Sequence, residues 1–515
     1  MTEVTPAELQ TAAVKGSIWT SLHATVSLPL AVVANILVAR ALGPVDFGFL
    51  ATLIAAYGIA VGAANAGISD ATIQWGARAY VRGATEDLVD LVRRCSGYHL
   101  VVELPLMITV TAVLLRNASE VTQFAACLAV AFGMYIGTAA NVQMLLSRTA
   151  TVARVAIVTN VALQVTIVVS AEASHSGYVT WTARIVAANL GTVALLLLLP
   201  RPLRTAVLRP RFPRGWPPGF VSFGFKTAVG GIVALLVFSR SEIFVLQADR
   251  QHAAAGVFAL GFGIAAHMTA PIDALLGPMM PAAVSLVATA PERLGNAVLR
   301  GLRFTAVAAG GIAAVGIPLA SALVVPLFGS SFEQVASLIL PLALVSCIQS
   351  LNHPVTAFLY GLRRVGNVLV VNLIAFSIDI GIAIATIGAL HAWGATIANV
   401  VGQLLALGGA AIVLKRALSL SATSLVASMR TFGEGAVAAT FAWLVVDVLT
   451  PTEWSAWTRA VLGVVVGGGV FLALQRLKKP ALTSDDVAVL VAAMPQALRR
   501  PMTRTAWLLG LAPSG

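Results

Sequence analysis

The sequence predicts an all-α integral membrane protein of about fourteen transmembrane helices, arranged as two six-helix lobes plus two extra C-terminal helices, and three observations predict its class. Of 515 residues, 58% are hydrophobic and 10% are charged, with a mean hydropathy of +0.90, whereas soluble domains hold roughly 45–50% apolar and 25% charged residues. The apolar residues gather into runs of about 20 or more, enough to cross the hydrocarbon core as helices. The 33 lysines and arginines fall in short connections between those runs rather than in one basic patch, which argues against nucleic acid as a partner and instead fixes a membrane orientation. No long polar block remains between the runs. A soluble enzyme with an anchor and a receptor with a large water-facing domain are therefore excluded.

The chain opens on a polar segment, Met1 to Gly16. The next apolar run contains Pro29 and lacks a small-residue cleavage site, so it reads as a retained first span rather than a signal peptide. Runs bounded by charges, Gly and Pro place spans near 14–39, 47–69, 95–115, 121–146, 152–172, 177–200 and 220–247. Seven more follow near 252–280, 300–327, 332–358, 365–389, 391–415, 424–449 and 457–477. With the N-terminus inside, 26 of the 33 basic residues lie in cytoplasmic connections and the tail, and five (Arg40, Arg116, Arg184, Arg250, Arg459) lie outside. That bias supports an even number of spans with both termini cytoplasmic. Cys95, Cys127 and Cys347 are scattered, so neither a disulfide framework nor a metal cluster is readable.

The longest basic connection, RPLRTAVLRPRFPRGWPPG at 201–219, is rich in Pro and poorly suited to a continuous helix. It reads as a linker between an N-terminal lobe, 1–200, and a C-terminal lobe, 220–415. Two echoes cross it: GPVDFGFLATLIAA against AAAGVFALGFGIAA at an offset of 208, and the segment with Asn160 against that with Asn372 at an offset of 212. Six helices per copy would make these parallel repeats. Two additional spans, 416–477, stand outside the repeat. A cytoplasmic tail, 478–515, follows, in which Ser484 can cap a helix with Asp485 and Asp486 in its first turn. Its apolar face and paired arginines fit a membrane surface or an oligomer contact.

The stretch ARALGPVDFGFLATLIAAYGIAVGAANAGISDATIQWGAR resembles the polysaccharide flippase family (O-antigen type) of the multidrug/oligosaccharidyl-lipid/polysaccharide exporter superfamily. The matching elements are R-A-L-G-P at Arg40–Pro44, the Phe47-Gly48 pair, and A-G-I-S-D-A-T at Ala66–Thr72. SEIFVLQADRQHAAAGVFALGFGIA extends the likeness. There Glu242 holds the family's acidic place, while Val257 separates Gly256 from Phe258. The resemblance implies a transporter in a bacterial-type cell membrane. It would move a lipid-pyrophosphate-linked saccharide from the cytoplasmic to the outer leaflet by alternating access, beside glycosyltransferases or a polymerase. It implies no enzyme activity, cofactor or metal. The alternatives are a drug/cation antiporter of the same superfamily and a membrane-embedded glycosyltransferase or polymerase. No G-x-x-x-x-G-K-[ST] motor motif is present.

Ionisable residues inside spans are costly and mark function. Lys226 and Arg240, 14 residues apart on the seventh span, would lie about 40° from alignment and about 21 Å apart on one straight helix. They are candidate ligands for a pyrophosphate, with Arg40 and Arg184 joining them towards the outer face. Asp273, beside Pro271, and Asp379, near the middle of the eleventh span, are candidates for coupling or gating, or for pairing with a cation, with Glu242 and Asp46; Arg40, Asp46 and Arg184 would cluster near the outer face as a gate or as surface anchors. His23, His99 and His267 read as packing residues. Amides at Asn35, Asn65, Asn141, Asn160, Gln164, Asn189, Asn352, Asn372, Asn399 and Gln403 can hold helices together or line a hydrated path.

Overall fold

A computed structural model describes residues 6–238, 241–276, 290–451 and 453–478, with short pieces at 279, 283, 286–287, 482–483 and 485–488. Among these, every regular element is helical. Twelve stretches are long and apolar enough to cross a membrane. The first, Leu22–Asn65, is 44 residues long and bends at Gly43, whose φ of 67 and ψ of 176 break the helix Pro6–Asn65 (α1) into two crossings. Only glycine adopts that conformation without a steric penalty. A shorter apolar helix, Phe220–Val233, occupies the place of the expected seventh span. All fourteen expected crossings thus have a helical counterpart.

The chain divides into two compact units, Met1–Ser239 and Arg240–Gly515. The division falls at this point and not within the 201–219 connection, and packing explains why. In the first unit α1 is followed by Ile68–Val81 (α2), Thr85–Tyr98 (α3), a π-helical turn His99–Glu103, Leu104–Leu114 (α4) and Glu120–Ile136 (α5). Then come Thr138–Leu145 (α6), Thr149–Ser174 (α7), Gly177–Leu197 (α8), Arg201–Leu208 (α9) and Phe220–Phe238 (α10). Far from being a free linker, α9 buries Leu203 and Val207 in a cluster with Leu88, Val92 and Leu145. The Arg211 N–H donates to the Arg93 carbonyl at 2.9 Å, and its guanidinium meets Asp90 at 2.8 Å. Trp216 stacks on Phe220 with ring centroids 4.6 Å apart, and Trp75 meets Phe220 edge-on. The basic segment is stitched to α3 and carries α10 with it.

The second unit comprises Glu242–Ala248 (α11), His252–Leu276 (α12), Leu294–Phe328 (α13), Gln334–Gly361 (α14), Val365–Leu390 (α15), Ala392–Leu418 (α16), Ala422–Leu444 (α17) and Ala456–Leu477 (α18). The expected seventh span is thus described as two helices, one ending at Phe238 and the next starting at Glu242. The angular relation expected for Lys226 and Arg240 on one straight helix does not apply. Arg240 itself lies outside the described residues.

Left-handed residues mark a repeat of turning points. They pair as Gly43 with Arg250, Ser147 with Arg363, and His175 with His391, which lie 207, 216 and 216 residues apart.

The two extra helices use α13 as their support. A Cβ on Gly435 of α17 would lie 2.2 Å from the Gly310 Cα of α13, and one on Gly467 of α18 would lie 1.9 Å from the Ala314 oxygen. Such backbone contact is the usual way helices associate where lipid removes the hydrophobic drive between them. Midway along α17 the buried Glu434 accepts from Gln475 and pairs with Arg430 and Lys478 at 3.1 and 3.2 Å. The tail is anchored nearby. Its helix is capped by Thr483 rather than Ser484, which lies outside the described residues. The Asp486 N–H donates to Thr483 Oγ1 at 3.2 Å, and the Thr483 N–H donates to Asp486 Oδ2 at 3.0 Å, a reciprocal capping box. The buried Asp486 carboxylate also accepts from Arg300 and Arg303 of α13, each at 2.8 Å.

Burial would raise the Asp486 pKa, but hydrogen bonds from Arg303, the Thr483 N–H and Arg300 prevail and hold it at about 2. A carboxyl depressed in the folded state stabilises above its unfolded pKa and loses that contribution as pH falls through the folded one. Amide exchange at 485–488 should therefore stay slow from neutral pH to about 4 and quicken towards pH 2, whereas Asp486→Asn should quicken it at every pH. Gly435→Val should lower stability by roughly 1–3 kcal/mol, read by thermal unfolding of the purified protein.

Candidate functional site

Ionisable residues lie within spans of both units, and two groups of them lack partners of opposite charge. In the first unit the cations Arg40, Arg184 and Lys226 have no carboxylate partner among the described residues. Arg40 is exposed, three residues before the Gly43 bend. Arg184 is half-buried and lies seven residues into α8, about 10 Å from its start. Lys226 is exposed and lies six residues into α10, about 9 Å from its start. Its position is set by a close crossing: a Cβ on Gly67, whose φ is +71, would fall 1.9 Å from the Gly224 oxygen. Asp46 does not pair with Arg40. Its Oδ1 accepts the Gly177 N–H at 3.1 Å, satisfying an orphan donor at the start of α8, a structural duty that the sequence reading did not separate from gating.

In the second unit Glu242 and Asp379 come together deep inside the protein. Both are buried, with Asn399 beside them. Asn399 Nδ2 donates to Glu242 Oε1 at 2.7 Å, and Ser241 Oγ donates to Asp379 Oδ2 at 3.2 Å. The two carboxyl groups lie against one another. Glu242 Oε2, Asp379 Oδ1 and Asn399 Oδ1 receive no hydrogen bond from any described donor. The approach of α16 to α15 makes this possible, because a Cβ on Gly402 would already lie 3.0 Å from the Asp379 Cβ. Acceptors facing acceptors in a buried space call for a proton or a cation. The donors are all oxygen, a set that suits a hard cation rather than a thiophilic one.

Asp273 stands apart from that pair. Its Oδ1 accepts from Ser350 Oγ at 2.7 Å, and His353 Nε2 lies 3.6 Å away. Sequence reasoning missed Glu103 and read His99 as packing. The two in fact form a buried pair across the π-helical turn, through His99 Nδ1 and Glu103 Oε2, with His99 Nε2 left without a hydrogen-bond partner among the described residues. The H-x-x-x-E spacing within an apolar run was the available signal. Among the described residues no group of three or more His, Cys, Asp or Glu could hold a metal ion.

The fold and these charged groups define a multi-pass helical membrane protein with ionisable residues inside its spans. A family model described as polysaccharide biosynthesis protein matches residues 37–337, more than half of the sequence, and the chain belongs to that family. No curated protein sequence matches. The fold is that of a multidrug resistance MATE family transporter of the MOP superfamily in an inward-facing conformation (TM-score 0.60, 15% identity, covering 76% of this chain and 94% of that one). It is equally similar to the lipid II flippase MurJ in an inward closed conformation (TM-score 0.60, 10% identity, 90% and 98% covered). A MOP superfamily transporter from Pyrococcus furiosus is also similar (TM-score 0.51, 14% identity, 82% and 100% covered).

Glu242→Gln supplies an amide that can donate to Asp379. It should raise the apparent melting temperature of the purified protein by about 2–4 °C, the effect of relieving one unpaired buried acceptor. A fall in scanning fluorimetry would show that the carboxyls do not oppose one another.

Proposed function

We propose that the protein flips a lipid-pyrophosphate-linked saccharide from the cytoplasmic to the outer leaflet of a bacterial-type cell membrane, with both termini cytoplasmic. The observation that carries this reading is the pair of uncompensated cations within spans of the first unit. Leaving Arg184 and Lys226 without carboxylates inside a membrane is costly, and the cost is offset when an anionic head group passes. Arg184 presents a planar fork suited to phosphate oxygens, and Lys226 a point charge. By the orientation that the basic connections favour, α10 starts on the cytoplasmic side and α8 on the outer side. Each cation then stands one to two turns inside its own end, so that a pyrophosphate can be received at Lys226 and passed towards Arg184 and Arg40. The family membership supports the saccharide, and the MurJ-like fold supports the lipid carrier.

Glu242 and Asp379 serve in this reading as the coupling site, alternately loaded with a proton or an alkali cation as the protein changes its access. The linked step is the loading of this acceptor-rich pair, which stabilises one arrangement by differential affinity. The same pair favours a second reading, a drug/cation antiporter, in which the cation drives efflux of an organic molecule. The two readings differ at the first unit: an exporter of organic cations gains nothing from unpaired Arg184 and Lys226. Catalysis is not proposed.

Arg184→Ala and Lys226→Ala should each lower surface polysaccharide by tenfold or more at unchanged protein level. That factor corresponds to losing one charge-assisted hydrogen bond to phosphate, and Lys226→Arg should restore most of it. Normal polysaccharide in both alanine variants would overturn the reading.

A further inference from the structure

The helices of the second unit do not all present the same kind of surface. α15 exposes Val370, Leu373, Ile374 and Ile384, the last at 68%, as a helix bathed in lipid tails does. α14 differs. From Val345 to Gly361 every residue is buried except Gln349, His353, Thr356 and Tyr360. Their spacing of four, three and four residues places them in one stripe along the helix, and every member carries a hydrogen-bonding group. Beside the stripe, α12 contributes Asp273, 38% exposed and held by Ser350, opposite His353, which is 48% exposed. Among the described side chains, the exposed neighbours of Asp273 on α12 are Pro271 and Ala274, small residues rather than the Leu, Ile and Val of the lipid-facing helix.

A half-open carboxylate and an imidazole facing hydrocarbon would be prohibitively placed, so this face is wetted. Its charge is one-sided as well: neither α12 nor α14 contains a lysine or arginine, and Asp273 is the single acidic residue in the two helices. A row of hydrogen-bonding side chains about 5–6 Å apart, with one carboxylate and no lysine or arginine, fits a chain of sugar hydroxyls. It does not fit a phosphate or a carboxylated sugar.

We propose that this stripe is the saccharide-binding surface of the second unit, with Asp273 as the residue that selects neutral or amino-bearing sugars over those carrying a uronic acid. The proposal rests on the flippase reading above and moves Asp273 from coupling to recognition. Ser350 holds one carboxylate oxygen, leaving the other to accept a sugar O–H or N–H. A carboxylate on the glycan would meet Asp273 with like charge and find no lysine or arginine on either helix. Gln349, Thr356 and Tyr360 continue the contact along α14, with the tyrosine ring offering an apolar face to the C–H side of a pyranose.

The test uses the full chain in lipid nanodiscs and two synthetic polyprenyl-pyrophosphate lipids. One carries a hexose–N-acetylhexosamine disaccharide, and the other has a hexuronic acid in place of the hexose. The wild-type chain should bind the neutral lipid about tenfold more tightly, the effect of one hydrogen bond to a charged group. Asp273→Asn, which keeps an acceptor for Ser350, should remove that discrimination, and His353→Gln should weaken the neutral lipid with less effect on discrimination. Thermal unfolding of each variant establishes that it is folded. Equal binding of both lipids by wild type and Asp273→Asn would overturn the selectivity while leaving the flippase reading intact. Failure of wild type to bind either lipid would overturn the flippase reading and this proposal with it.

Discussion

A charge inside a membrane must be compensated, and the structure is organised around where that is done within the protein and where it is not. Several charges are compensated within the protein. Asp90 meets Arg94 and Arg211, Glu434 meets Arg430 and Lys478, and Asp486 meets Arg300 and Arg303. These contacts fasten the connections and the tail to the helices they follow. Elsewhere in the spans, compensation is withheld twice, once for cations in the first unit and once for carboxylates in the second. Uncompensated charge of opposite sign in different units fits the coupled carrier proposed above, in which each defect is relieved by a different passing ion.

Small residues make these placements possible. The approach of Gly67 to Gly224 aims Lys226, Gly402 beside Asp379 lets α16 bring Asn399 to Glu242, and Gly435 against Gly310 seats the two additional helices. In each case a side chain would separate the backbones and move the charge. Hydrophobicity puts the chain in the membrane, but the glycines decide which polar groups meet.

Much of the fold was legible in the sequence, since hydrophobic runs report crossings directly and the connections carry the arginines. Gly43 was readable as a turn because Pro44 follows it. The limits of the first unit were not readable, because Trp216 and Arg211 look like solvent-exposed linker residues until they are seen to engage Phe220 and Asp90. At the candidate site, charge alone pointed to Arg184, Lys226, Glu242, Asp273 and Asp379, but not to their company. The meeting of Glu242 and Asp379 joins residues 137 positions apart, and Asp46 proved to be committed to Gly177. Glu103 was overlooked although its spacing from His99 was visible, because a buried pair leaves no trace in hydropathy.

The most direct measurement is leaflet exchange in proteoliposomes containing only this chain and a fluorescent polyprenyl-pyrophosphate saccharide, with accessibility to an impermeant quencher followed in time. Flipping predicts that a membrane-inserted chain moves the lipid between leaflets far faster than protein-free vesicles do, with a rate that responds to an imposed proton or alkali-cation gradient. A rate indistinguishable from that of empty vesicles, with export of an organic cation from the same vesicles under the same gradient, would contradict it.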